Sequence, residues 1–194
     1  PRDQMLFATR HHDYGWMELD AQPSPNPQTG LPWHLTETPH ELSVQSIGPA
    51  IPFNEAYHPY CGLLVAMHLW GIYNGRYGLS DQILLDIISP QCRSKFDEKM
   101  EQLQVHQARL KNVVAANLET APWVAEQHLF QNYKQLQFFD SLALYFNCTH
   151  PADRQPQKFN HVPKSANEDV TVTVTPVDEA CYLFGAERTI VLRK

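Results

Sequence analysis

Residues 10–16, Arg-His-His-Asp-Tyr-Gly-Trp, put two imidazoles, a carboxylate, a turn-prone glycine and an indole within seven positions. A His-Asp pair is expected about 0.5 times by chance in a chain with ten of each residue, so the dipeptide carries meaning only in combination with others. Further candidates lie downstream: His58, His68 and Asp140. A buried carboxylate is costly unless it is hydrogen-bonded, ion-paired or metal-bound, and a buried imidazole is costly to a lesser degree. Neutral imidazoles and carboxylates together suit a first-row divalent ion such as Fe, Mn or Zn.

The elements that would have to carry these groups follow from apolar spacing. Residues 2–14 read as a helix with Met5, Ala8, Thr9 and His12 inward, Leu6 and Asp13 beside them, and Gly15 as its stop. Both members of the dyad are thereby expected to face inward. Residues 20–56 contain seven prolines, which argue against long helices and predict an ordered loop anchored by Trp33, Leu35 and Phe53. His58-Pro59 opens a helix to Tyr73 whose stripe includes Cys61, Leu64, Val65, His68, Leu69 and Ile72.

Asn74-Gly75 makes a turn, and Ser80 is read as the N-cap of a short helix ending near Ile88. A helix over 94–117 follows, with Met100, Leu103, Leu110 and Val113 or Val114 inward. The helix predicted over 122–147 buries Leu129, Tyr133, Leu136, Asp140, Ala143 and Asn147, which sets an acid on the core side. From residue 170 the β-branched alternation predicts two or three strands with a turn near Phe184-Gly185. The fold class is therefore mainly α with a small C-terminal β hairpin or sheet, organised as a helical part over 1–150 and a β appendage over 151–194 packed on it.

Hydrophobic residues at 43% and a net charge of −6 predict a folded core rather than disorder. The mild acidity argues against nucleic acid or an anionic membrane surface as partner and favours a small-molecule substrate, with a homo-oligomer possible. Cys61, Cys92, Cys148 and Cys181 form no C-x-x-C pair and are read as reduced core thiols. Neither a leader pattern nor a run of 18 apolar residues is found, and the expected compartment is the cytoplasm.

The order of a His-Asp dyad, a His-bearing helix and a late helical Asp in "FFDSLALYF" resembles the HD superfamily of metal-dependent phosphohydrolases. More closely, "RHHDYGWMELD", "NPQTGLP", "HPYCGLLVAMHLWGIYNGR" and "FFDSLAL" resemble an uncharacterised bacterial family of HD-like proteins with a His-Asp-x-Gly-Trp signature. The resemblance implies an HD-type helical bundle, with His12 and Asp13 as dyad, His68 and His58 as further ligands and Asp140 as closing acid. Such proteins usually supply one more His from a helix before the dyad, whereas no His precedes His11 here.

The function this implies is hydrolysis of a phosphoester or similar small molecule by water activated on one or two metal ions, with Asp13 and His68 in catalytic roles. His11, Trp16, Asp20 and Arg76 are the candidate substrate contacts, Arg76 because a guanidinium forks onto oxyanions. Two alternatives accompany this reading. A diiron oxygenase would need two ions about 3.5 to 4 Å apart, and a non-catalytic binding module would retain the fold without the metal.

Overall fold

The computed structural model describes residues 1–177, 181–185 and 189–193, the last two segments by their backbone and the Tyr182 side chain alone. The chain is mainly helical with a small C-terminal antiparallel sheet, and it divides into two compact units, Pro1–Val124 and Ala125–Lys194. The division falls before the last helix. That helix therefore groups with the strands, whereas the sequence reading placed the boundary near residue 150.

The first unit is built on α1 (Arg2–His11), α2 (Met17–Ala21), α3 (His40–Tyr57), α4 (Pro59–Tyr73) and α5 (Pro90–Ala115). Helix α4 is apolar on every side and is correspondingly buried, with Cys61, Leu63, Leu64, Val65 and Ala66 at 1% exposure or less. It starts where the sequence predicts: His58 is the N-cap, its Nδ1 accepting from Tyr60 N–H at 3.0 Å, and Pro59 occupies the first turn. Helix α5 packs on α4 through the single stripe Cys92, Phe96, Met100, Leu103, Leu110 and Val114. The rest of α5 is charged and solvated.

Three readings of this region are corrected. The proline-dense stretch is a loop only to Pro39. From His40 it is an 18-residue helix that contains Pro49 and Pro52. Each proline removes a backbone donor, but burial of Ile47, Ala50, Ile51 and Asn54 against neighbouring elements overrides local propensity. The first helix ends at His11, and residues 14–16 form a 3₁₀ turn. Ser80 caps no α-helix: its Oγ accepts from Gln82 N–H, and the following helical turn is 3₁₀, Leu84–Ile87.

The loop before α3 is ordered around Asn26, which is buried. Its carbonyl accepts from Thr29 and Gly30, its Oδ1 accepts from Gln28 N–H at 2.9 Å, and its own N–H donates to Leu31. Gly30 supplies the left-handed residue this tight reversal needs, at φ 70°. The expected anchors contribute less, since Leu35 is half exposed.

In the second unit, α6 (Glu126–Asn147) packs against an antiparallel meander of β1 (Gln157–Ser165), β2 (Glu168–Pro176), β3 (Cys181–Gly185) and β4 (Thr189–Arg193). Three strands stand in the stretch where two or three were predicted, and β1 is a further strand in the segment before it. Phe159, Val172 and Val174 alternate inward and meet Leu142, Tyr145 and Tyr182. One extra residue between Phe159 and Val162 bulges β1, with His161 at φ 58°. The buried face of α6 follows the predicted stripe through Asp140 and then turns to Leu142 and Tyr145, leaving Ala143 and Asn147 exposed. The sheet, not helix periodicity, decides that change. Cys61 and Cys92 are free and buried as expected, Cys148 is free but exposed just past the end of α6 and so is not a core thiol, and the Cys181 side chain lies outside the described ones. Among the described residues no helix is long and apolar enough to cross a membrane.

Candidate metal centre

The end of α1 sets up the dyad. Helix ends leave their last carbonyls without intrahelical donors, and here two of these are met by side chains. His12 folds its ring back so that Nδ1 bonds the Thr9 carbonyl at 2.7 Å, while Asn54 Nδ2 donates to the His11 carbonyl at 2.9 Å. Because a carbonyl can only accept, Nδ1 of His12 carries a proton.

His12 Nε2 then lies 3.1 Å from Asp13 Oδ2. A ring protonated at Nδ1 alone offers only a lone pair at Nε2, so imidazole and carboxylate face each other as two acceptors. The approach is favourable only with a cation between them, either the second proton of an imidazolium or a metal ion touching both atoms.

The second imidazole comes from α4. His68 is 2% exposed, and its ring centroid stands 4.9 Å from that of His12, the planes perpendicular at 89°. His68 lies in the most apolar helix of the chain, where a polar ring is retained only if its nitrogens are used. In the second unit Asp140 occupies the middle of α6 and is 8% exposed, an acid among buried neighbours as its periodicity predicts. The first unit thus brings two buried imidazoles together, and the second buries a carboxylate on α6; imidazole and carboxylate are the ligand types that hold a metal ion.

Asp13 differs from its expected placement. Its side chain is 63% exposed, because the helix stops two residues earlier and the chain turns outward there. It meets His12 from the solvent side instead of facing the core beside it.

The chain matches the family model of DUF3891, described as a protein of unknown function, over residues 1–185. It belongs to that family. No curated protein and no solved structure matches it.

The remaining candidates in this DUF3891 chain are placed as follows. His58 uses its Nδ1 to cap α4, and its ring tilts against Trp123 at 5.5 Å. His11 joins a run of rings on α1 and α3: Phe7 is 4.5 Å away and stacks on Tyr57 at 3.8 Å, and Phe53, 5.4 Å away, stacks on Tyr14 at 3.5 Å. Burial, then the neighbouring Arg10 charge, lowers the His11 pKa below its ordinary value. Trp16 is half-buried and Asp20 is exposed.

Arg76 lies in a left-handed turn in which Gly75, Arg76, Tyr77 and Gly78 all have positive φ, from 48° to 80°. Tyr77 anchors it by donating to Gln107 Oε1 and packing on Trp70. Two non-glycine residues in this region are unfavourable by roughly 1 to 2 kcal/mol each, and such strain persists only where surrounding contacts fix it.

Sequence reasoning missed two contributors, Ser46 and Asn54, both on α3. A Cβ on Gly15 would stand 1.7 Å from the Ser46 carbonyl oxygen, so only glycine lets the turn after the dyad lie on that helix. The Gly-Trp of the signature was a visible signal for a close approach, but its partner was hidden in a stretch read as loop.

Proposed function

We propose that the chain is a metal-dependent hydrolase of the HD type, acting on a phosphoester or similar small molecule, with His12, His68 and Asp140 as ligands of a divalent Fe, Mn or Zn ion. The observation that carries this reading is the state of His12. Its Nδ1 proton is committed to Thr9, so the neutral ring has only its Nε2 lone pair to offer beside the Asp13 carboxylate, the arrangement a metal-binding histidine adopts when its other nitrogen is held by a carbonyl. The residue types support it, since imidazole and carboxylate ligands suit these ions, and His12 and His68 are both buried with their rings 4.9 Å apart.

Bound there, such an ion supplies Lewis acidity, lowering the pKa of water toward neutrality and offsetting charge on a phosphoryl oxygen. The chain's own residues divide the remaining work. His68, enclosed in α4, fixes its side of the site and excludes solvent. Asp13, exposed and 3.1 Å from His12, is the carboxylate available to take a proton from attacking water at Oδ2. Arg76 is the proposed contact for a phosphoryl oxygen, on a backbone held rigid by its left-handed turn.

The test is elemental analysis of protein purified without chelator, alongside His12→Ala and Asp140→Ala. Near-stoichiometric Fe, Mn or Zn, lost in both variants and accompanied by metal-dependent phosphoester cleavage, is the expected result. Two irons per chain with an oxygen-sensitive spectrum would turn the reading to the oxygenase. Absence of metal even after reconstitution would overturn it and leave a helical binding module.

A further inference from the structure

Asn54 is completely buried in α3, yet only half of its amide is used for hydrogen bonding by the described residues. Its Nδ2 donates to two carbonyls, Ala50 at 2.8 Å one turn back and His11 at 2.9 Å, 43 residues away in sequence. Its Oδ1 is buried and has no hydrogen-bond partner among the described residues. Two carbonyls facing one atom fix the amide orientation, because only the nitrogen can donate. A leucine of the same branching would carry no unmatched Oδ1 into the helix core, so core packing alone does not account for an asparagine here. The His11 carbonyl does.

That carbonyl belongs to the peptide unit leading into His12. The His12 ring is held by the carbonyl of Thr9, one turn back on the same helix end, so its orientation depends on where that last turn is fixed. Asn54 fixes it from α3, and the Gly15–Ser46 approach fixes the chain again three residues beyond His12. Ser46 and Asn54 are eight residues apart, about 12 Å along the helix. Helix α3 contributes none of the proposed ligands, yet it grips the dyad segment on both sides.

We propose that Asn54 is a positioning residue that holds His12 in its Nδ1-protonated, Nε2-outward state and thereby sets the metal affinity of the site. The inference rests on the metal-site reading for its consequence, but its structural half can be tested without any metal. The variants are Asn54→Leu, which removes the donor but keeps the branching and heavy-atom count, and Asn54→Gln, which keeps the donor. Leu103→Ala, in the α5 core, serves as a control that is destabilised away from the dyad.

Two readouts separate the claims. Ring-nitrogen chemical shifts of His12 in metal-free protein report which nitrogen carries the proton, and chelator competition with zinc reports affinity. The expected result is a single Nδ1-protonated His12 in wild type and in Leu103→Ala, and a tautomer mixture in Asn54→Leu, which Asn54→Gln partly reverses. Zinc affinity should fall about tenfold to a hundredfold in Asn54→Leu, as for other outer partners of metal-binding histidines. A wild type that binds no zinc but shows the tautomer change would sustain the positioning role and remove the metal reading. Zinc binding and a tautomer unchanged in folded Asn54→Leu would overturn the inference and leave the metal reading intact. If Asn54→Leu does not fold, the comparison passes to Asn54→Gln, in which a mainly Nδ1-protonated His12 and an affinity nearer to wild type than to His12→Ala are expected, and a loss matching His12→Ala would overturn the donor's role.

Discussion

The backbone of Gly15 lies on the Ser46 carbonyl of α3, with no space for even a methyl group between them. The glycine thus serves close packing, since its φ is not among the positive ones. Gly15→Ala forces backbone to move against backbone, and should cost about 3 kcal/mol, the upper end of ordinary overpacking. Urea unfolding of the two proteins measures this directly, and a difference under about 0.5 kcal/mol would contradict the packing.

Burial pushes the His58 imidazole below its ordinary value of 6.5, and its Nδ1 must stay unprotonated to cap α4. The unfolded chain therefore takes up this proton first as pH falls. Stability present above pH 6.5 should be lost as pH drops through the lower folded-state value. His58→Asn retains a capping oxygen without a titrating ring, and its stability should vary less between neutral and mildly acidic pH in parallel thermal melts.

At Arg76 the backbone, with φ 48°, separates two substitutions that remove the same guanidinium. An asparagine side chain tolerates the left-handed region, whereas a β-branched valine does not. Arg76→Val should therefore be about 1 kcal/mol less stable than Arg76→Asn by chemical denaturation, while both lose any phosphoester activity to a similar degree.

Arg154 is a buried cation of the second unit. Its guanidinium donates to the Thr149 and Phe146 carbonyls and to the Tyr182 hydroxyl, and it lies over the Phe146 and Tyr182 rings. Two of those acceptors stand at the end of α6, where a positive charge is favourable. Arg154→Leu strands all three acceptors and should destabilise by about 2 to 4 kcal/mol. Lysine, a point charge without the planar fork, should recover less than half of that.

If the proposed metal centre is correct, removing the ion lowers stability as well as activity. At a free metal concentration a hundred times Kd, binding contributes about 2.7 kcal/mol, so chelation should depress Tm by several degrees in wild type. His12→Ala should show no further drop on chelation. An unchanged Tm in wild type would count against the site.

The sequence by itself determined where the chemistry-bearing side chains fall on their own helices. The start of α4 and the burial of His68 and Asp140 were legible because a helix repeats every 3.6 residues and a proline or cap marks its start. The helical character of the chain and its C-terminal strands followed from the same local periodicities. Tertiary structure decided what periodicity cannot carry. Packing kept α3 helical through two prolines, turned Asp13 outward after an early helix end, and moved the buried face of α6 once a sheet lay beside Leu142 and Tyr145. Packing also set Asn54 against the His11 carbonyl, 43 residues away in sequence and next to the His12 whose ring the Thr9 carbonyl holds. Such a contact leaves no trace in local spacing, because a single long-range hydrogen bond has no period.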